Sequence, residues 1–200
     1  MLLVGVISGV IALLLVFGAS YLVGVIYELV HFQHPSEHEL LGAMKDASKV
    51  AKVVLVIGAC VIAPLFEELL FRGHLQTLLV RLFTRAMTPA PIPVAPALAT
   101  ETGAAPNPDL PLLIASESPA PVMDYSNPAP VGDSTAARWL AVIITAAVFA
   151  LVHPLWTAPL IFLLAVCLGY AYERTGSLWV PITMHAMFNI SSTFLFLNFM

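Results

Sequence analysis

Six ionisable side chains stand inside otherwise apolar stretches: Glu67, Glu68 and Arg72 in APLFEELLFRG, His74 just beyond, and His153 and His185 far downstream. A charged group at the centre of a membrane helix costs about 2.5–3.5 kcal/mol on insertion scales, so such groups pair or line a cavity. Helical spacing separates the two glutamates. Glu68 and Arg72 are i and i+4 with the acid N-terminal, the favourable order for an ion pair on one face. Glu67 lies about 100° round the helix, so Arg72 is not its natural partner.

Depth supplies Glu67 with other neighbours. It stands 14 residues in from Arg81, and His153 stands 15 residues in from Arg138. At about 1.5 Å per residue these are nearly equal depths on antiparallel neighbours. His185 and Asn189 are i and i+4, on one face, and counted from Ser177 they lie about 12 and 18 Å deep. One carboxylate, two imidazoles and an amide can therefore meet in the buried middle. A carboxylate with an imidazole can hold and deprotonate a water. A second imidazole and an amide N–H can donate to the oxyanion of a tetrahedral intermediate. Spacing alone leaves three readings open: a hydrolytic site, a polar cluster that only binds helices together, or an ion or proton pathway.

The elements that must position these groups are membrane helices. Of the 200 residues 60% are hydrophobic and 10% charged, with a mean hydropathy of +0.93. Soluble domains carry far more charge. A spanning helix needs roughly 20 apolar residues, and five stretches qualify: about 2–28, 50–84, 138–153, 158–173 and 178–199. The expected fold is an all-α, polytopic transmembrane bundle of about five helices, in the lipid bilayer of the cell membrane. The first 27 residues carry no charged side chain, unlike the basic start of a secretory signal, so the first helix reads as retained. Residues 88–137 hold 11 of the 16 prolines. With Ala, Ser, Asn and Asp around them they cannot build a core, and they read as a disordered extramembrane insertion serving as a spacer.

Net charge is −4 and no basic cluster occurs, so nucleic acid is not an expected partner. Cys60 and Cys167 both lie in apolar segments and read as small hydrophobes. Arg81, Arg85, Arg138 and Arg174 fall at one end of the bundle, and Lys45, Lys49 and Lys52 at the other. The positive-inside tendency leans toward a cytoplasmic arginine end.

The residues assembled so far resemble the CPBP family of intramembrane proteases, also called Abi or CAAX protease-like. Glu67-Glu68-Leu69-Leu70-Phe71-Arg72 is similar to its EExxxR motif, Phe149 to His153 to FxxxH, and His185 to Asn189 to HxxxN. ERTGSLWVPITMHAMFN (Glu173 to Asn189) resembles the family's run into the third motif. The likeness covers about residues 55–195. It implies one domain over about 50–200: a motif helix at 50–87, the insertion, and two further motif segments at 138–200, preceded by an N-terminal helix and loop at 1–49. It also implies an intramembrane endopeptidase related to type II CAAX prenyl endopeptidases. Glu67 and His153 would then activate the attacking water, His185 and Asn189 would stabilise the oxyanion, and Glu68 and Arg72 would support the site. The substrate would be a peptide or membrane protein, with a prenylated tail among the candidates. A non-catalytic immunity or scaffold protein of the same fold is the alternative the family also contains. Members are often labelled metalloproteases, while others have been read as glutamate-dependent enzymes without metal. Glu68 is spoken for by Arg72 and no HExxH is present, so a metal-free site is the expectation. Zinc is the alternative cofactor, with Glu67, His153 and His185 as its ligands. The insertion between the first and second motifs, and the single helix before the first, depart from typical relatives.

Lesser features have plainer readings. HFQHPSEHE (His31 to Glu39) has no standard metal spacing and reads as an interfacial loop. His74 is seven residues from Glu67, on the same face of a regular helix, where it could extend a proton path or simply lie near the interface. Trp139, Trp156 and Trp179 sit near helix ends, as interfacial anchors do. Gly58, Gly73 and Gly169 are candidates for close helix contact.

Overall fold

The computed structural model describes residues 1–33, 47–87 and 134–199. The insertion up to residue 133 and most of the histidine-rich loop lie outside the described residues. Five helices and no strand are present among those described: α1 (Leu2–Leu29), α2 (Lys49–Met87), α3 (Thr135–Leu151), α4 (Ala158–Thr175) and α5 (Trp179–Phe199). The all-α reading is therefore correct. Of these, α1, α2 and α5 are long and apolar enough to cross a membrane, and α3 is a shorter apolar helix.

Local chemistry sets the boundaries. Ser48 caps α2 by accepting the Ala51 N–H at 3.2 Å, and Ser134 does the same for α3 with Ala137. The Ser134 cap starts α3 at Thr135, three residues before the expected 138. Pro159 sits in the first turn of α4, where its missing N–H costs nothing. Gly176, at φ +62°, ends α4 in the left-handed conformation that side chains avoid.

The bundle packs round α4. On one side Leu164, Leu168 and Ala171 meet Ala12 and Val16 of α1 and Val180 and Met184 of α5. On the other, Ala165 meets Phe71 of α2 and Ala146 and Phe149 of α3. α1 lies close on α5 because a Cβ at Gly9 would come within 2.7 Å of Met187 Sδ. Gly169 does the same work for α4: a Cβ there would sit 2.8 Å from Gln76 Oε1. Of the other expected contact glycines, Gly73 would meet only ordinary neighbours and Gly58 none.

α2 departs from a regular helix at two places. Gly58–Ile62 and Leu69–Gln76 are π-helical, with the short α segment Ala63–Glu68 between them. Such insertions widen a helix and recur at functional sites. Here they flank the two adjacent glutamates.

Candidate active site

Glu68 and Arg72 are both fully buried, and Arg72 Nη1 donates to Glu68 Oε1 at 2.9 Å. Arg72 Nη2 reaches across to the Ala165 carbonyl of α4 at 3.0 Å. The same Glu68 oxygen takes a second bond from His185 Nδ1 at 2.9 Å. A carboxylate only accepts, so the His185 proton on this side must lie on Nδ1. One glutamate thus ties α2 to α5 while its arginine ties α2 to α4. This Glu68–His185 bond has no local signal, because it joins residues 117 positions apart.

Glu67 looks the other way. Its side chain is about one-third exposed (31%), and Oε2 lies 3.7 Å from His185 Nε2. The sequence pairing of Glu67 with His153 appears as a shared cavity, with no direct hydrogen bond between them. That cavity, about 340 Å³, is lined by Glu67, His153, His185 and Asn189 together with Thr157, Phe188 and others. It extends away from the arginine end, toward Ala59 on α2 and Ser192 and Thr193 on α5.

His153 stands just beyond the last residue of α3, in the turn before α4. Its Nδ1 bonds the Phe149 carbonyl at 2.7 Å. A carbonyl can only accept, so Nδ1 carries the proton and Nε2 has the lone pair in the neutral ring. Phe149 is buried at the centre of the site. Its ring lies 4.7 Å from that of His153, edge-on to His185 at 5.7 Å, and 4.8 Å beneath the Arg72 guanidinium. Phe149 thus packs against both histidines and the arginine.

Asn189 is held by a bond that α2's irregularity creates. In the first π segment Ala63 N–H donates to the Gly58 carbonyl, five residues back. One step on, the same register would send the N–H of residue 64 to Ala59, but Pro64 has none. The Ala59 carbonyl is left open, and Asn189 Nδ2 fills it at 2.7 Å. One amide hydrogen remains for another acceptor.

His74 is exposed, bonds the Leu69 carbonyl five residues back at 2.8 Å, and does not line the cavity. The second π segment breaks the 3.6-residue register on which the shared face with Glu67 depended. The cavity residues that spacing did not single out include Phe188, Ser192 and Thr193. With His185 and Asn189 they fall at i, i+3, i+4, i+7 and i+8, one face of α5, which is a readable signal. Thr157 and Ala59 carry none.

Among the described residues no three His, Cys, Asp or Glu side chains gather into a group that could hold a metal ion. His185 holds Nδ1 on Glu68 and His153 holds Nδ1 on the Phe149 carbonyl, which leaves Nε2 of each ring as the atom that could meet a ligand.

No curated protein and no solved structure shows significant similarity to the chain. Residues 49–101 and 129–191, more than half of the chain, match the family described as type II CAAX prenyl endopeptidase Rce1-like, so the chain belongs to that family of multi-pass membrane proteases.

Proposed function

We propose that the chain hydrolyses a peptide bond at its central cavity, without a metal ion. Glu67, beside His153, takes a proton from a bound water as the water oxygen attacks the scissile carbonyl carbon. The negative charge that develops on the carbonyl oxygen is met by His185 Nε2–H and by the remaining amide hydrogen of Asn189. Because His185 Nδ1 already donates to Glu68, donation through Nε2 requires the imidazolium form. The proton on Glu67 then passes to the leaving amine as the C–N bond breaks.

The observation that carries this reading is the meeting of Glu67, His153, His185 and Asn189 on one cavity within a membrane-protein bundle. The substrate class is a peptide or membrane-protein segment reaching that cavity, and a prenylated C-terminal tail is the first candidate to assay. Glu67→Gln and His153→Ala should each lower the cleavage rate by about 10²–10⁴, the range general acid–base groups supply. Expression and folding should be retained. Full cleavage by either variant overturns the assignment. If the wild-type chain cleaves nothing and both variants keep its cellular role, a non-catalytic scaffold of the same fold replaces it. Activity should also survive exhaustive dialysis against chelator with no zinc detected. Loss with zinc-specific recovery overturns the metal-free part.

A further inference from the structure

The arginine end of the bundle carries two shallow cavities that the hydrolytic site does not use. One, of about 230 Å³, is lined by Thr135, Arg138, Trp139, Val142, Tyr170, Glu173 and Arg174. The other, of about 240 Å³, includes Arg81 and shares Arg138 and Glu173 with the first. Among the described residues that line the two cavities are three arginines and one acid, Glu173. That acid is engaged on both oxygens, with Arg138 Nη1 on Oε2 at 3.1 Å and Gln76 Nε2 on Oε1 at 2.8 Å.

The chemistry of the first cavity changes with depth. Along α3 it runs from Thr135 through Arg138 to Trp139 and Val142. Along α4 it runs from Arg174 through Glu173 to Tyr170. Both sequences pass from charged and hydroxyl groups at the helix ends to apolar and aromatic ones one turn deeper. The Trp139 and Tyr170 rings stack at 5.6 Å, and each is nearly half exposed (46%). In a chain that spans a bilayer, rings at that level face the boundary between headgroups and acyl chains. Guanidinium groups bind phosphate by forked hydrogen bonds, and the ring pair offers a wall to the first methylenes of a chain.

We propose that this cavity binds an anionic glycerophospholipid, its phosphate held by Arg138 and Arg174 and its acyl chain laid against Trp139, Val142 and Tyr170. Arg81, at the adjoining cavity, adds positive potential from the side. The bound lipid bridges α3 and α4, the two helices whose connecting turn carries His153. It therefore fixes that pair from the end opposite the cavity.

The purified full chain in detergent, titrated with phosphatidylglycerol or phosphatidylcholine and read by native mass spectrometry and thermal midpoint, tests this. Phosphatidylglycerol should bind and raise the midpoint, while phosphatidylcholine should do neither at the same concentration. Arg174→Gln leaves the Arg138–Glu173 pair intact and should weaken phosphatidylglycerol by about fivefold, the effect of one interfacial cation. Arg138→Gln with Arg174→Gln should abolish the preference for the anionic lipid. Trp139→Ala should weaken the long-chain lipid and leave glycerol 3-phosphate unaffected. Equal binding of the two lipids, or full retention by the double variant, overturns the proposal. Inorganic phosphate or glycerol 3-phosphate matching the lipid in affinity and stabilisation also overturns it, leaving an anion site with no lipid specificity.

Discussion

Glu67 and Glu68 are neighbours in sequence with opposite surroundings, and their amide variants should separate accordingly. Glu68 is wholly buried and accepts from both Arg72 and His185 through one oxygen. Glu68→Gln keeps the shape but leaves Arg72 as a buried charge without a counter-ion, a change that costs about 3–5 kcal/mol when one partner of a buried pair is removed. Thermal or denaturant unfolding in detergent should show the loss directly, with activity falling beside it. Glu67 is partly exposed and bridges no second helix by a hydrogen bond. Its Gln variant should change the unfolding free energy by less than about 1 kcal/mol, as a partly exposed carboxylate allows, while removing activity. Equal destabilisation by the two would mean that both carboxylates are structural. The Glu68–Arg72 pair was legible because i and i+4 is a local relation fixed by helix geometry. Glu68–His185 was not, since it depends on how α5 rotates against α2.

At the scale of the element, α2 is unusual because its two π segments bracket the acid pair. The span of α2 followed from apolar length and charge position, which act over a whole helix. The π segments did not, because each changes hydrogen-bond register without changing the apolar pattern. Pro64 is the residue in which the two levels meet. Its ring removes the N–H that would close on Ala59, and Asn189 takes the carbonyl instead. Pro64→Ala restores a competing donor. Asn189 then loses its fixed position, and kcat should fall by about 10- to 100-fold, short of the 10²–10³ seen when an oxyanion donor is removed outright. KM should change little, because Pro64 does not line the cavity. Combined with Asn189→Ala, the proline variant should add almost nothing further, as two changes in one interaction do. Additive losses in the double variant would show that Pro64 acts on something other than Asn189.

At the scale of the molecule, α1 lies outside the matched family segments yet is built into the same core. Gly9 admits Met187 and Met184 of α5, and Ala12 and Val16 close on α4. Further along, Phe17 stacks on Phe188 at 6.3 Å, and Phe188 lines the central cavity. At its far end the Tyr27 hydroxyl donates to the Trp156 carbonyl at 2.9 Å, tying α1 to the turn that carries His153. The sequence showed α1 as a span of suitable length but could not show which face it presents, since nearly every residue of it is apolar and no stripe stands out. The spacing of its glycines decides the matter only once a partner is known. Gly9→Leu should therefore push α1 off α5, costing about 1–3 kcal/mol as overpacking does. It should also lower activity, because Phe17 and Tyr27 hold the cavity wall and the His153 turn from the same helix. Gly18→Leu is the matched control. A Cβ at Gly18 meets nothing within 4 Å, so the same apolar bulk should change neither midpoint nor rate. If both leucine variants behave alike, α1 is a membrane anchor alone and the cavity is complete without it.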